Sequence, residues 1–254
     1  MPDDALRPEQ REIVRLFFSM PDSHGFVLVG GAALVTLGLT DRPTEDVDFF
    51  TSDAARISHA VAAFTDATTN EGWSVELGRG SATFQRIFLT RRDTHLSVDI
   101  AHDTAALRPL VESGLGPTFD PLEHAARKAL AVFDRAEARD FVDLYRLSTL
   151  FTKAEILALA QELDLGFDER VFGQSLRSIS ASETTGRAMR GRCLDREVIR
   201  ERLGQRTRPR CSTPPTNDVT VASRTPRPSS SLNPHQTTPR RVGVQLALQC
   251  QNYL

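Results

Sequence analysis

Between positions 29 and 48 the chain reads Val29-Gly30-Gly31-Ala32-Ala33-Leu34 and then Arg42-Pro43-Thr44-Glu45-Asp46-Val47-Asp48. Two adjacent glycines let a backbone approach an anion closely, and where they open a helix its unbonded N–H groups face that anion. Asp46 and Asp48 stand two apart, so on a strand both carboxylates leave the same face, about 6–7 Å from each other along the chain. Oxygen ligands placed in this way suit Mg2+ held jointly with substrate phosphates. Two such ions about 3.5–4 Å apart would stabilise the entering and leaving oxygens of an in-line displacement at phosphorus. Neither piece is specific alone, because Gly-Gly is also ordinary turn chemistry. The weight lies in the order: strand, Gly-Gly, helix, turn, then Asp-Val-Asp on a second strand.

A third acid fits the same chemistry. In His95-Leu96-Ser97-Val98-Asp99-Ile100, Asp99 stands among apolar neighbours on an alternating run. If that run pairs beside Val47–Phe50, Asp99 completes a cluster of three carboxylates, which repel one another unless cations neutralise them.

The elements that must hold these residues are readable from hydrophobic period. Glu9 to Ser19 predicts an amphipathic helix closed by Met20-Pro21. Phe26–Val29 and Val47–Phe50 read as strands, Ala32–Leu39 and Ala54–Phe64 as helices. Trp73–Leu77, Ala82–Thr90 and His95–Ile100 follow as strands. From Pro121 the period changes to that of a helix, with Leu122, Ala125, Ala126, Ala129, Leu130 and Phe133 on one face. Phe141–Leu147, Ile156–Leu163 and Asp195–Leu203 read as further helices. The expectation is an α+β chain: a mixed-sheet domain over 1–115, a helical domain over 116–204, and a disordered basic Pro/Ser-rich tail over 205–254. That tail cannot bury enough apolar surface to offset the entropy of ordering it.

Bulk properties narrow the class. The net charge of −2 hides an asymmetry, since residues 204–254 hold seven arginines against Asp218, which leaves residues 1–203 near −8. No apolar run is long enough to span a membrane, and the first 20 residues lack the apolar core of a signal peptide. Cys193, Cys211 and Cys250 have no C-x-x-C spacing, so a disulfide framework and a structural zinc site are both unsupported. A reducing cytoplasm is the expected location. Only Lys128 and Lys153 stand against 29 arginines. The six histidines are scattered without ligand spacing. Arg79, Arg86, Arg91 and Arg92 cluster around the second and third of the later strands, either as a solvated face or as contacts to a nucleic-acid backbone.

As an ordered set, Gly30-Gly31-x-Ala33-Leu34, Arg42-x-Thr44-x-Asp46-x-Asp48, Val98-Asp99-Ile100, Lys128 and Arg139-Asp140-x-x-Asp143-Leu144 resemble the DNA polymerase β-like nucleotidyltransferases. Within them the likeness is to the AbiEii/MenT family of bacterial toxins, over roughly residues 10–204. The resemblance implies a polymerase β-like domain followed by a helical domain, dependence on Mg2+ or Mn2+, an NTP donor and a cognate antitoxin. It also implies transfer of a nucleotide to a tRNA 3′ end. Gly30 and Gly31 would cradle the triphosphate, with Arg42 and Thr44 beside them. Asp46, Asp48 and Asp99 would hold the metals, Asp99 also helping to deprotonate the acceptor hydroxyl. Lys128 would pair with NTP phosphates as a point charge, and Asp143 or Asp140 would orient Lys128 or the acceptor. Many members carry Gly-Ser where this chain has Gly30-Gly31. Two other functions compete: the same reaction on a small molecule, which if cationic is favoured by the acidic balance of residues 1–203, or on a protein side chain; and a non-catalytic product, either an inactive remnant or a partner-binding module that only retains the fold.

Overall fold

The computed structural model describes residues 5–178. The expected Asp195–Leu203 helix and the 205–254 tail lie outside those residues. The strands are β1 (Phe26–Val29), β2 (Asp46–Thr51), β3 (Ser74–Ser81), β4 (Phe84–Arg91), β5 (Thr94–His102), β6 (Val111–Glu112) and β7 (Pro117–Thr118). They form one mixed sheet in the order β3-β4-β5-β2-β1-β7-β6. β2 runs antiparallel to β1 and parallel to β5, and β3, β4 and β5 form an antiparallel meander.

Alternation decides which face each side chain joins. Along β2, Val47 and Phe49 are fully buried while Asp46, Asp48 and Phe50 take the opposite face. The buried face packs against α1 (Pro8–Ser19) and α3 (Ile57–Asn70). Ile13, Val14 and Phe17 from α1 meet Ile57, Ala60 and Phe64 from α3 over Val47, Phe49, Ile87, Leu89, Val98 and Ile100 of the sheet. Phe17 is the hub of this core. It stacks on Phe49 with ring centroids 3.8 Å apart and meets Phe18, Phe26 and Phe64 edge-on. Such ring pairs contribute about 0.5–1.5 kcal/mol each beyond simple burial.

The helical half builds a second core. Asp120 caps α4 (Pro121–Asp134) by accepting from the Leu122 amide, and Pro121 sits where the missing N–H costs nothing. α5 (Ala138–Leu147) and α6 (Lys153–Leu163) follow, the latter opened by a Thr152/Glu155 capping box. The last described helix is α7 (Glu169–Ser178), which lies where no helix was expected. Ala125, Ala126, Ala129, Phe141, Leu144, Leu147, Ile156 and Ala160 fill this core. The short α2 (Gly30–Thr36) is shared: Ala32, Ala33 and Val35 belong to the first core and Leu34 to the second. The Gly-Gly corner is therefore clamped from both sides.

The α+β expectation matches this architecture. β7 carries the sheet past the expected division at 115 because Thr118 pairs with Leu28 of β1. A two-residue strand that includes Pro117 is too short to show a period. No helix among the described residues is long and apolar enough to cross a membrane.

Candidate active site

The acids meet on the sheet face away from the aromatic core. In the parallel β2/β5 ladder Asp48 lies opposite Asp99, and Asp46 lies opposite Ser97. On β5's other side, Arg86 of β4 lies opposite Asp99. One row across the sheet therefore reads Arg86, Asp99, Asp48, and β1 ends beside it with Val29 opposite Asp48.

The glycine corner fits against this row. Gly30 has φ +67°, in the left-handed region that glycine tolerates, and a Cβ there would strike the Asp48 carboxylate. At Gly31 a Cβ would lie 2.6 Å from Thr44 Oγ1. A serine at that position would have to push Thr44 aside, which gives Gly31 a packing reason in this chain. Thr44 Oγ1 donates to the Asp46 carbonyl at 3.3 Å, and the Thr44 amide donates to the Ala5 carbonyl. The buried Gln10 of α1 donates to the Thr44 carbonyl at 3.0 Å. The turn before β2 is thus anchored by backbone and side chain from distant segments.

Two of the three acids are already paired. Arg86 Nε and Nη2 donate to Asp99 Oδ1 and Oδ2 at 2.8 and 2.6 Å. Arg139 of α5 donates to Asp46 Oδ2 at 3.0 Å. Among the described residues no ion pair neutralises Asp48. Its carboxyl is pushed up to about 7, first by burial and then by the negative charge of Asp99 and Asp46, with Arg139 and Lys128 pulling the other way. An uncompensated carboxylate between two others is a place where added positive charge is stabilised.

Behind the acids stands a second charged group. Lys128 of α4 places Nζ 3.1 Å from Asp140 Oδ1 and 2.9 Å from Asp143 Oδ2, both on α5. Arg135 forks Asp140 at 2.8 and 3.0 Å, and Arg42 forks Asp143 at 3.1 and 3.0 Å. Burial alone would lower the Lys128 value, but Asp143 and Asp140 outweigh it and hold it above the ordinary lysine range. Burial would likewise raise the two carboxyls, yet Lys128 and the arginine forks keep both below the usual carboxylate range.

The expected site residues therefore fall into two groups. Gly30, Gly31, Asp46, Asp48 and Asp99 come together at one corner, and Lys128 lies close enough to influence Asp48. Asp140 and Asp143 have fully buried side chains whose oxygens face Lys128 and the arginines. Arg42 and Thr44 likewise support the corner. Helix α4 ends at Asp134, and the chain turns before α5, so Lys128 and Arg139 point to different acids. Arg135 had no role assigned from the sequence, and Arg86, read there only as part of a basic cluster on a solvated face or against a nucleic-acid backbone, was not expected to hold Asp99. The only signal for Arg86 was its alternation with Ile87 and Leu89 on β4.

Asp46, Asp48 and Asp99 supply the hard oxygen donors that a divalent cation prefers. Among the described residues no three such side chains are already gathered at metal-binding distance, because Arg86 and Arg139 hold two of the acids. The donor chemistry fits the ion, and these arginines are the groups that would have to yield.

A mixed sheet with a Gly-Gly corner against in-register acids, followed by a helical half, defines a nucleotidyltransferase. Residues 14–210 match the family described as nucleotidyl transferase AbiEii toxin, Type IV TA system, and the chain belongs to that family. No curated protein matches it. Two solved structures share the fold. JHP933 from Helicobacter pylori aligns with a TM-score of 0.51 and 16% identity, over 78% of this chain and 90% of that one. A putative nucleotidyltransferase from H. pylori aligns with a TM-score of 0.50 and 18% identity, over 78% and 93%. MenT4, a nucleotidyltransferase toxin from Mycobacterium tuberculosis, gives a TM-score of 0.45 at 16% identity over 67% of this chain and 63% of that one.

Proposed function

We propose that this chain transfers a nucleoside monophosphate from an NTP to the terminal hydroxyl of a tRNA 3′ end, as the toxin of a toxin–antitoxin pair. The observation that carries this reading is the row of Asp48 and Asp99 with Asp46 beside it, in register on adjacent strands and against the Gly30 corner. Gly30 and Gly31 accept the triphosphate with their backbone. Asp46, Asp48 and Asp99 would hold Mg2+ or Mn2+, which would supply charge neutralisation for the transferred phosphate. Lys128, oriented by Asp140 and Asp143, adds a fixed positive charge close enough to act on Asp48. In the reaction the acceptor oxygen bonds to the α-phosphorus as the bond to pyrophosphate breaks, and the acceptor proton leaves toward Asp99.

The test is transfer of label. The full chain is incubated with Mg2+, each α-labelled NTP in turn, and total bacterial tRNA. Label on tRNA from one NTP, lost by about a thousandfold or more in Asp46→Ala/Asp48→Ala, is the expected result and names the donor base. The acidic balance of residues 1–203 favours a second acceptor class, a cationic small molecule. Label on aminocyclitols with none on tRNA would move the acceptor there. Transfer unchanged by the double substitution would overturn both.

A further inference from the structure

Phe88 is a large apolar side chain left 42% exposed on the same sheet face as the acids. A lone exposed phenylalanine needs no explanation. This one has a built setting. Ile87 and Leu89 on either side point into the core with no exposure, which fixes Phe88 and Arg86 on the opposite, acidic face. Phe88 lies opposite Ser97, which lies opposite Asp46, in the row beside that of Arg86, Asp99 and Asp48. The ring rests on a glycine: a Cβ at Gly78 would come within 2.8 Å of Phe88 Cε2. Gly78 belongs to a register shift in β3 between Leu77 and Gly80. Gln85 Nε2 pins that irregularity by donating to the carbonyls of Gly78 at 3.1 Å and Arg86 at 2.8 Å. Bulges of this kind re-aim side chains next to functional sites.

The two flanks of the acid row differ. On the β1 side the face is covered, since Val27, Val29 and Phe119 cluster with Phe50, and there the glycine corner meets Asp48. On the β4 side it is open and carries an exposed aromatic ring next to a guanidinium. An aromatic plane with an adjacent arginine is the chemistry that recognises the end of a single-stranded nucleic acid, the base stacking on the ring and a phosphate meeting the cation.

We propose that Phe88 and Arg86 form the acceptor subsite: the terminal base of the RNA stacks on Phe88 and its phosphate takes the Arg86 guanidinium. Engagement of that phosphate draws Arg86 off Asp99 and frees the carboxylate for the acceptor hydroxyl, so acceptor binding and site assembly are one event. This rests on the acceptor being an RNA end, as argued above.

The experiment measures binding to the full chain of a fluorescent RNA with a single-stranded 3′ end, without NTP. A matched RNA whose last residue is abasic serves as comparison. Phe88→Ala weakens the intact RNA by ~10-fold, leaves the abasic RNA unchanged, and leaves equilibrium binding of labelled NTP unchanged. Phe88→Trp restores binding. Arg86→Gln lowers the slope of log Kd against log salt by about 0.7, the loss of one phosphate contact. Intact RNA bound equally by Phe88→Ala and the unsubstituted chain overturns the stacking role. Equal weakening of intact and abasic RNA does the same, and an unchanged salt slope overturns the role of Arg86. If the unsubstituted chain binds no RNA yet labels another acceptor, the tRNA reading falls with the subsite. If RNA binds normally and only Phe88→Ala is silent, the subsite falls alone.

Discussion

Two charged clusters lie close enough for Lys128 of one to act on Asp48 of the other, and they solve opposite problems. Behind the corner, Lys128, Arg42 and Arg135 meet Asp140 and Asp143 in a buried network where every carboxylate has two cationic partners. On the sheet, three carboxylates share two arginines, and Asp48 is left with neighbours of its own sign. The first cluster is compensated and rigid. The second is short of positive charge, and under the proposed function a cation bound with the NTP would bring it.

The largest effect should come from breaking the compensated cluster. Asp143→Ala strands Lys128 and Arg42 in a buried site, and urea unfolding should show a loss of about 3–5 kcal/mol. Asp48→Asn should do the reverse in the absence of divalent ions. A carboxyl raised to about 7 in the folded chain penalises folding above that pH, and the penalty disappears below the ordinary value of 3.8. The variant should therefore be more stable than the parent by up to about 4 kcal/mol at pH 8 and equal to it near pH 3.5. A gap that does not change with pH would remove the charge argument. Lys128→Met separates the two roles further. Arg42 and Arg135 still pair Asp143 and Asp140, so stability should fall by only about 1 kcal/mol. Nucleotide transfer should fall ~100-fold or more.

His124 offers a control of opposite sign. It is buried, hydrogen-bonded at 2.8 Å to Thr118 Oγ1, and its ring is held down to about 3 by burial and by Lys128 and Arg127. An unfolded histidine takes up a proton near 6.5 that the folded ring refuses, so folding carries no penalty above that pH and a growing one as pH falls from 6.5 toward 3. His124→Gln should flatten that limb of the stability profile without altering the Asp48 limb. The smallest effect belongs to the half-exposed fork between Arg91 and Glu12 at 2.7 Å. Glu12→Gln should cost under about 1 kcal/mol, and less in high salt.

Much of this was legible in the sequence. The Asp-Val-Asp spacing foretold a shared face, and alternation through Val98-Asp99-Ile100 foretold a third acid beside it. The stripe from Leu122 to Phe133 foretold α4. Short or irregular pieces were not legible. β6 and β7 are two residues each, and the shift in β3 at Gly78 leaves no mark on hydrophobic period. Arg79, Arg86, Arg91 and Arg92 read as one basic cluster, yet the fold disperses it: Arg86 forks Asp99, and Arg91 forks Glu12 while lying 4.2 Å over Trp73.

The sequence by itself determined which residues share a face, because strand and helix periods are local properties that each segment carries. It also determined that three acids and one lysine would need cations and anions around them. Only the tertiary structure decided which partners those are. Arg42 reaches Asp143 across 101 residues, Arg139 reaches Asp46 across 93, and Arg86 meets Asp99 because β4 pairs with β5 in that register. Ion pairing depends on distance in space, and strand order and helix packing set that distance with no trace in the spacing of the residues involved.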